Sequence, residues 1–295
     1  MTEFLQVAPE VAEALAAGRP VVALETSIVG QGLPSPHNVD AARGCEAAIR
    51  EEGAVPATIA VLDGRLHVGL APADLERIAA GSRKVSARDL GPALASGEAG
   101  ATTVAATARV AALAGIRFFA TGGIGGVHRR HPEDVSADLG ELARTSVAVF
   151  CAGAKIILDL RLTLETLESL GVPVIGYGCD EFPAFYSARS GCPVSARADS
   201  PEQTARTLAA AWASGAAGIV VAVPPPRDLE DAEAMVTQAV TELSGVSGGE
   251  VTPRLLARIA ELSGGRSLEL NVDLVVNNAR TAATVAAAFA RIARD

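Results

Sequence analysis

The chain has 295 residues, 49% hydrophobic and 20% charged, with a formal net charge of -9. That apolar mass suffices for a substantial core and excludes a disordered or low-complexity chain. The acidic balance excludes a general nucleic-acid or anionic-membrane binder, while a local pocket can still be positive enough for a small phosphorylated ligand.

No run approaches the roughly 20 apolar residues of a membrane span. The start MTEFLQVAPEVAEAL carries Glu3 and Glu10 and no basic residue, unlike a signal peptide. Cys45, Cys151, Cys179 and Cys192 form no CxxC pair and read as reduced thiols of a cytoplasmic protein, without a zinc site.

Strand-like and helical segments alternate along the chain. VAPEVAEALAAG reads as a helix and Pro20–Glu25 as a buried strand. The Gly/Pro-rich loop TSIVGQGLPSPHN follows, with Asn38 or Asp40 placed to cap the next helix. PATIAVLDGRLHVGL is two strands turning at Asp63-Gly64. Helices ending at Gly81 and Gly115 precede the strand Ile116–Ala120, which runs into the glycine loop Gly122–Gly126. A short helix from Ser136 leads to the strand Ser146–Cys151 and its exit loop Ala152–Lys155. The helix LTLETLESLG, the strand PVIGYG, a helix capped by Ser200 and the strand GIVVAVPPP come next, then two or three further helices. No repeat or long linker divides the chain, so residues 1–295 are expected to form one α/β domain, its largely parallel sheet covered by helices on both faces.

Of 25 basic residues only Lys84 and Lys155 are lysines. Arginine stays protonated, whereas a lysine amine set among apolar side chains can lose its proton and attack a carbonyl-like carbon. Lys155 lies in just such a setting, CAGAKIILDL. The plainer reading is a surface lysine at a helix start, where its charge would oppose the helix dipole. In open α/β sheets ligands bind beyond the carboxyl ends of the strands. Glu25, the loop Gly122–Gly126 and Lys155 all fall at such ends. Glu25 has the place of a general acid, or of a structural carboxylate bonded to a loop amide or an arginine. The glycine loop can cradle an anion with its N–H groups but fits neither GxGxxG nor Walker A.

Asp134, Ser136 and Asp138 are close enough in sequence to hold a hard divalent cation, or simply to cap a helix. Tyr177, Phe182, Phe185 and Tyr186 suggest a pocket wall or an oligomer contact. GVSGG at Gly245–Gly249 matches GxSxG without the strand-to-helix setting of a nucleophile elbow.

Taken in order, VALETSIVGQGLPSPHN, PATIAVLDGRLHVGL, KVSARDL, GATTVAAT, FFATGGIGGVHR, DVSADL, CAGAKIILDLRLTLETLESLGVPVIGYG, DEFPAFY and NVDLVVNNA resemble the pseudouridine-5'-phosphate glycosidase, or indigoidine-synthase-A-like, family over nearly the whole chain. The resemblance implies a three-layer α/β/α sandwich with a largely parallel or mixed sheet, assembled as a homotrimer. It implies reversible cleavage of the C–C glycosidic bond of pseudouridine 5'-phosphate to uracil and ribose 5-phosphate. Lys155 then matches the nucleophile that forms an imine with the opened sugar, and Glu25 the general acid. Lys84, Thr103, Val104, His128, Asn278 and the run Ser136, Ala137 and Asp138 match substrate contacts, and Asp134 a divalent metal site, typically manganese. This sequence departs from the family pattern at Glu25-Thr-Ser-Ile28, at Gln31-Gly-Leu-Pro34, at Ile156 and at Cys179. Two other readings use the same residues: a class I aldolase-like lyase on another sugar phosphate, and a non-catalytic sugar-phosphate binding protein.

Overall fold

The computed structural model describes residues 2–129, 131–243 and 251–292. The short strand β1 (Leu5–Val7) and the helix α1 (Pro9–Ala16) precede the fully buried β2 (Val21–Leu24). A single wide turn, Ile28–Gly32, separates β2 from α2 (His37–Glu51). β3 (Val55–Leu62) is buried along all eight residues and turns into β4 (Arg65–Val68) through Asp63 and Gly64, both at positive φ (51° and 72°), as a tight hairpin demands. Then come α3 (Pro72–Ala80), β5 (Arg83–Val85), α4 (Leu90–Ser96), β6 (Gly100–Thr102), α5 (Val104–Leu113), β7 (Phe118–Ala120) and β8 (Val127–His128). The next elements are α6 (Ala137–Leu142), β9 (Ala148–Cys151), β10 (Leu158–Asp159), α7 (Leu160–Ser169), β11 (Val174–Tyr177) and β12 (Ala196–Ala198). α8 (Pro201–Ala213), β13 (Ile219–Ala222), α9 (Ala232–Glu242), α10 (Val251–Leu262) and the long α11 (Arg266–Ile292) complete the described chain.

The main sheet runs β1-β4-β3-β2-β7-β9-β13-β11-β12, with β6 and β5 attached through β3. From β3 through β2 to β12 every pairing is parallel; β4 and β6 pair antiparallel with β3, which makes the sheet mixed. α11 lies across β7, β2 and β9, flanked by α2 and α8, and α5 packs on β2 and β3, so helices cover both sides. The buried runs of β2, β7, β9 and β13 follow from this, because a strand covered on both faces carries apolar residues at consecutive positions.

The expected strands and helices form close to where the sequence places them, and Ser136 and Ser200 do cap α6 and α8. The residue before α2, Pro36, supplies no side-chain cap, and Asn38 serves the helix start from inside its first turn: its Oδ1 accepts the Val39 N–H at 2.9 Å, while its buried amide donates to the Val29 carbonyl at 2.9 Å, tying the turn Ile28–Gly32 to the helix. The match at Gly245–Gly249 lies outside the described residues.

Phe119 sits at the centre of β7 with no exposed area. Phe119→Ala should cost about 3–5 kcal/mol in a urea unfolding titration, with the slope unchanged.

Candidate active site

β2, β7 and β9 are adjacent, with Leu24 opposite Ala120 and Ala120 opposite Phe150. Their carboxyl ends are therefore flush, and the residues that leave them stand side by side. Glu25 leaves β2 and is buried. One of its carboxylate oxygens accepts from the hydroxyl of Thr121, the first residue beyond β7, and the other from the hydroxyl of Ser27. Among the described residues it has neither of the structural partners considered for it, an arginine or a loop amide.

The exits of β7 and β9 then zip together. The Thr121 N–H donates to the Phe150 carbonyl at 3.0 Å, Ala152 N–H to Gly122 at 2.9 Å, Ile124 N–H to Gly153 at 3.1 Å and Lys155 N–H to Ile124 at 3.0 Å. Gly153 makes this path possible. Its φ is +83°, and a Cβ there would lie 1.8 Å from the Pro183 carbonyl oxygen. The ladder delivers Lys155, half-buried between the buried Ala154 and Ile156, to the same edge as Glu25.

The opposite wall is built on β5, β6 and α5. Lys84 pairs in register with Ala101, and the Thr103 N–H donates to the Val85 carbonyl at 3.0 Å. Thr103 precedes α5, yet its side chain caps nothing, and its buried Oγ1 has no partner. Val104 is buried in the first turn of that helix, whose N–H groups lack intrahelical partners and favour anions. Lys84 keeps solvent contact at this wall. Surrounding protein and then the Lys155 ammonium lower its pKa below the usual lysine value, against the opposing pull of Asp138 and Glu25. Both lysines of the chain and these two carboxylates thus share one electrostatic neighbourhood.

Asp138 is the internal anion of the site. It is buried, and its two oxygens accept from the backbone of Ala105 at 2.9 Å and of Gly125 at 2.8 Å, stitching the start of α5 to the glycine loop. The Gly125 N–H, expected to face a ligand anion, is therefore already engaged. Ser136 accepts from the Asp138 N–H at 3.2 Å as a helix cap, and the neighbouring Ala137 is exposed. Asn278 on α11 is fully buried; its amide donates to the Thr121 carbonyl at 2.8 Å, which leaves its own carbonyl oxygen without a partner. His128 ends β8 half-buried, with Nε2 3.9 Å from a carboxylate oxygen of Asp134.

Asp134 itself is 58% exposed at the side chain, and among the described residues no three His, Cys, Asp or Glu side chains converge as a metal cage. The oxygens of Asp134, Ser136 and Asp138 do not form one cluster, because Ser136 and Asp138 are turned to backbone amides. A single exposed carboxylate fits only a hard cation that keeps most of its water.

Phe182, Phe185 and Tyr186 are buried within the chain, which favours the pocket-wall reading over an oligomer contact. Phe185 holds φ at +64°, unusual for a bulky residue; its N–H donates to Ala152 at 3.0 Å and its ring backs Gly123 closely enough to exclude a Cβ there. Sequence reasoning passed over the hydroxyls. Thr26 and Thr102 both donate to the Ile59 carbonyl (2.8 and 2.7 Å), and Thr107 donates to Thr102 at 2.9 Å, locking the Glu25 loop to the start of α5. The available signal was threonine at successive strand exits: Thr26, Thr102 and Thr121.

The indigoidine synthase A-like family profile matches residues 10–288. The chain belongs to that family. It is 54% identical to a protein of Deinococcus radiodurans named pseudouridine-5'-phosphate glycosidase, covering 98% of this chain and 96% of that one. It is 58% identical to a protein of the same name from Rhodospirillum centenum, covering 100% and 95%. Among solved structures, the prealnumycin C-glycosynthase AlnA in complex with ribulose 5-phosphate superposes with a TM-score of 0.91 at 40% identity over 99% of both chains. An indigoidine synthase A-like protein of Thermotoga maritima gives 0.88 at 31% identity, covering 98% of this chain and 97% of that one.

The lowered pKa of Lys84 sets a pH test. An ammonium attracts a phosphate and a neutral amine does not, so a phosphate held at Lys84 should be released as pH rises, and earlier than from an ordinary lysine. Calorimetric titration with ribulose 5-phosphate across alkaline pH should show the loss in the wild type and a flatter profile in Lys84→Arg, which stays charged. Identical profiles would remove Lys84 from phosphate binding.

Proposed function

We propose that this chain catalyses reversible cleavage of the C–C glycosidic bond of pseudouridine 5'-phosphate to uracil and ribose 5-phosphate through an imine on Lys155. The observation that carries this reading is the flush exit of β2, β7 and β9, which sets the rare lysine and the buried Glu25 on one sheet edge, facing Lys84 and the start of α5. A C-glycoside has no heteroatom leaving group, so two-carboxylate oxocarbenium chemistry suits it poorly. An amine supplies what is missing.

In the synthetic direction the Lys155 amine condenses with the C1 aldehyde of open-chain ribose 5-phosphate, and water leaves. Uracil C5 adds to the iminium carbon, whose nitrogen takes up the electron pair; the C5 proton passes to the Glu25 carboxylate. The sugar 4-hydroxyl then displaces the lysine nitrogen from C1, closing the ring and freeing the amine. Cleavage is the reverse: Glu25 returns the proton to uracil C5 and water releases the sugar. Thr121 and Ser27 orient the Glu25 carboxylate. Lys84, the Thr103 hydroxyl and the Val104 amide hold the phosphate, so binding energy far from the reacting bond positions C1. The unpartnered Asn278 oxygen offers an acceptor to a uracil N–H, and His128 with Ser136 to Asp138 borders the sugar phosphate.

Asp134 would hold a divalent ion, manganese by family likeness, through one oxygen and water, and the ion would supply positive charge against the phosphate. The same likeness extends to a homotrimer.

Lys155→Arg keeps the charge and loses the nucleophile. Uracil release from pseudouridine 5'-phosphate, followed by ultraviolet absorbance, should fall below detection while near-ultraviolet circular dichroism is unchanged. Measurable turnover in that variant contradicts the imine. No uracil from the wild type would favour an aldolase-like lyase or a binding protein. Exhaustive chelation, or Asp134→Asn, should raise KM for the nucleotide, with recovery on adding manganese only in the chelated wild type; full activity without metal removes the ion.

A further inference from the structure

Arg129 lies outside the constellation above, yet its guanidinium is bound on two sides. Nε donates to the Leu158 carbonyl at 3.0 Å and Nη2 to the Ile156 carbonyl at 3.0 Å. On the other side Nη1 and Nη2 fork onto the Glu233 carboxylate at 2.5 and 3.2 Å. The two carbonyls belong to the turn that begins at Lys155, closed by the Leu158 N–H on the Lys155 carbonyl at 2.9 Å. Glu233 belongs to α9, 104 residues away in sequence from Arg129.

We propose that Arg129, held by Glu233, is a positioning residue that fixes the turn carrying Lys155, so that α9 supports the nucleophile. The inference rests on the reading of Lys155 as the group that bonds to the sugar. The backbone before Lys155 is secured by the ladder to Ile124, but the chain after it leaves the sheet and rejoins only a two-residue pairing, Leu158 with His128 and Asp159 with Val127. The Ile156 and Leu158 carbonyls at this exit need donors, and Arg129 supplies them. Stability is a poor explanation for the pair. The Glu233 side chain is 69% exposed, and such surface ion pairs contribute little. A planar fork meeting two carbonyls and one carboxylate sets geometry instead, and lysine cannot reproduce it. His128 precedes Arg129, but its N–H is held separately by the Asp134 carbonyl at 3.1 Å, so loosening Arg129 acts first on the turn after Lys155.

The test compares Arg129→Gln, Arg129→Lys, Glu233→Gln and the double variant Arg129→Gln/Glu233→Gln with the wild type. It reads kcat, KM, the rate at which borohydride fixes ribose 5-phosphate on Lys155 at saturating sugar, and thermal unfolding. Both Arg129 variants should lose about tenfold to a hundredfold in kcat with KM changed less than about threefold, and sugar fixation should slow in parallel. Glu233→Gln should lose less, and the double variant no more than Arg129→Gln, because both act through one turn. The unfolding temperature should hold throughout. If Arg129→Gln does not fold, Arg129→Lys and Glu233→Gln carry the same comparison. Wild-type kcat in Arg129→Lys, losses that multiply in the double variant, or a parallel fall of kcat and unfolding temperature would overturn the proposal. No adduct on Lys155 in the wild type would overturn the nucleophile reading along with it, whereas an adduct formed equally fast in every variant would overturn only the positioning role.

Discussion

Parallel pairing of β2, β7 and β9 governs everything else at this site. Three strands that end level must send their chains out over the same edge, and their first free residues become neighbours whatever their separation in sequence. Thr121 reaches Glu25 across 96 residues for this reason. The hydrogen-bonded exits of β7 and β9 extend the register beyond the sheet, so Lys155 arrives on a backbone that is fixed before any ligand binds. The proposed imine chemistry calls for such pre-organisation, since small misplacements cost large factors in rate.

Charge at the site is balanced locally, within an acidic protein. Lys84 and Lys155 repel each other, and Asp138 and Glu25 compensate. Asp138 also serves two backbone amides, so a single buried carboxylate sets the spacing between the glycine loop and α5. With that anion in place the buried Thr103 hydroxyl stays without a partner, and the proposed function gives it, with Lys84 and the Val104 amide, to the phosphate. The glycines of the loop act chiefly through their missing Cβ atoms: at Gly123 a side chain would strike Phe185, and at Gly125 it would strike Ser136 and Asp138.

Much of this was legible in the sequence. The apolar runs of β2, β7 and β9 announce buried parallel strands, and the placing of Glu25, Gly122 and Lys155 just beyond them follows from those runs alone. The scarcity of lysine marked Lys84 and Lys155 before either was located. Strand order was not legible, because a parallel strand's neighbours depend on crossover connections that composition does not encode. Nor were the partners of the polar side chains. Asp138 reads as a helix-start residue before it reads as a cation ligand, and neither reading foretells that Ala105 and Gly125 claim its oxygens. The hydroxyls of Ser27, Thr26, Thr102 and Thr121 look ordinary along the chain, and become a lock on the Glu25 loop only once β3, β6 and β7 bring them together. Asn38 is legible by type as a residue for a helix start, and its Oδ1 does take the Val39 N–H, but its second bond, to the Val29 carbonyl, depends on a turn the sequence does not reveal.

The most direct test of the central claim is a crystal structure of the protein reduced with borohydride in the presence of ribose 5-phosphate. The account predicts continuous density from Nζ of Lys155 to C1 of an open sugar, with Glu25 beside that carbon and the phosphate between Lys84 and the first turn of α5. A sugar joined to any other amine, or a phosphate lodged away from Lys84 and α5, would contradict it.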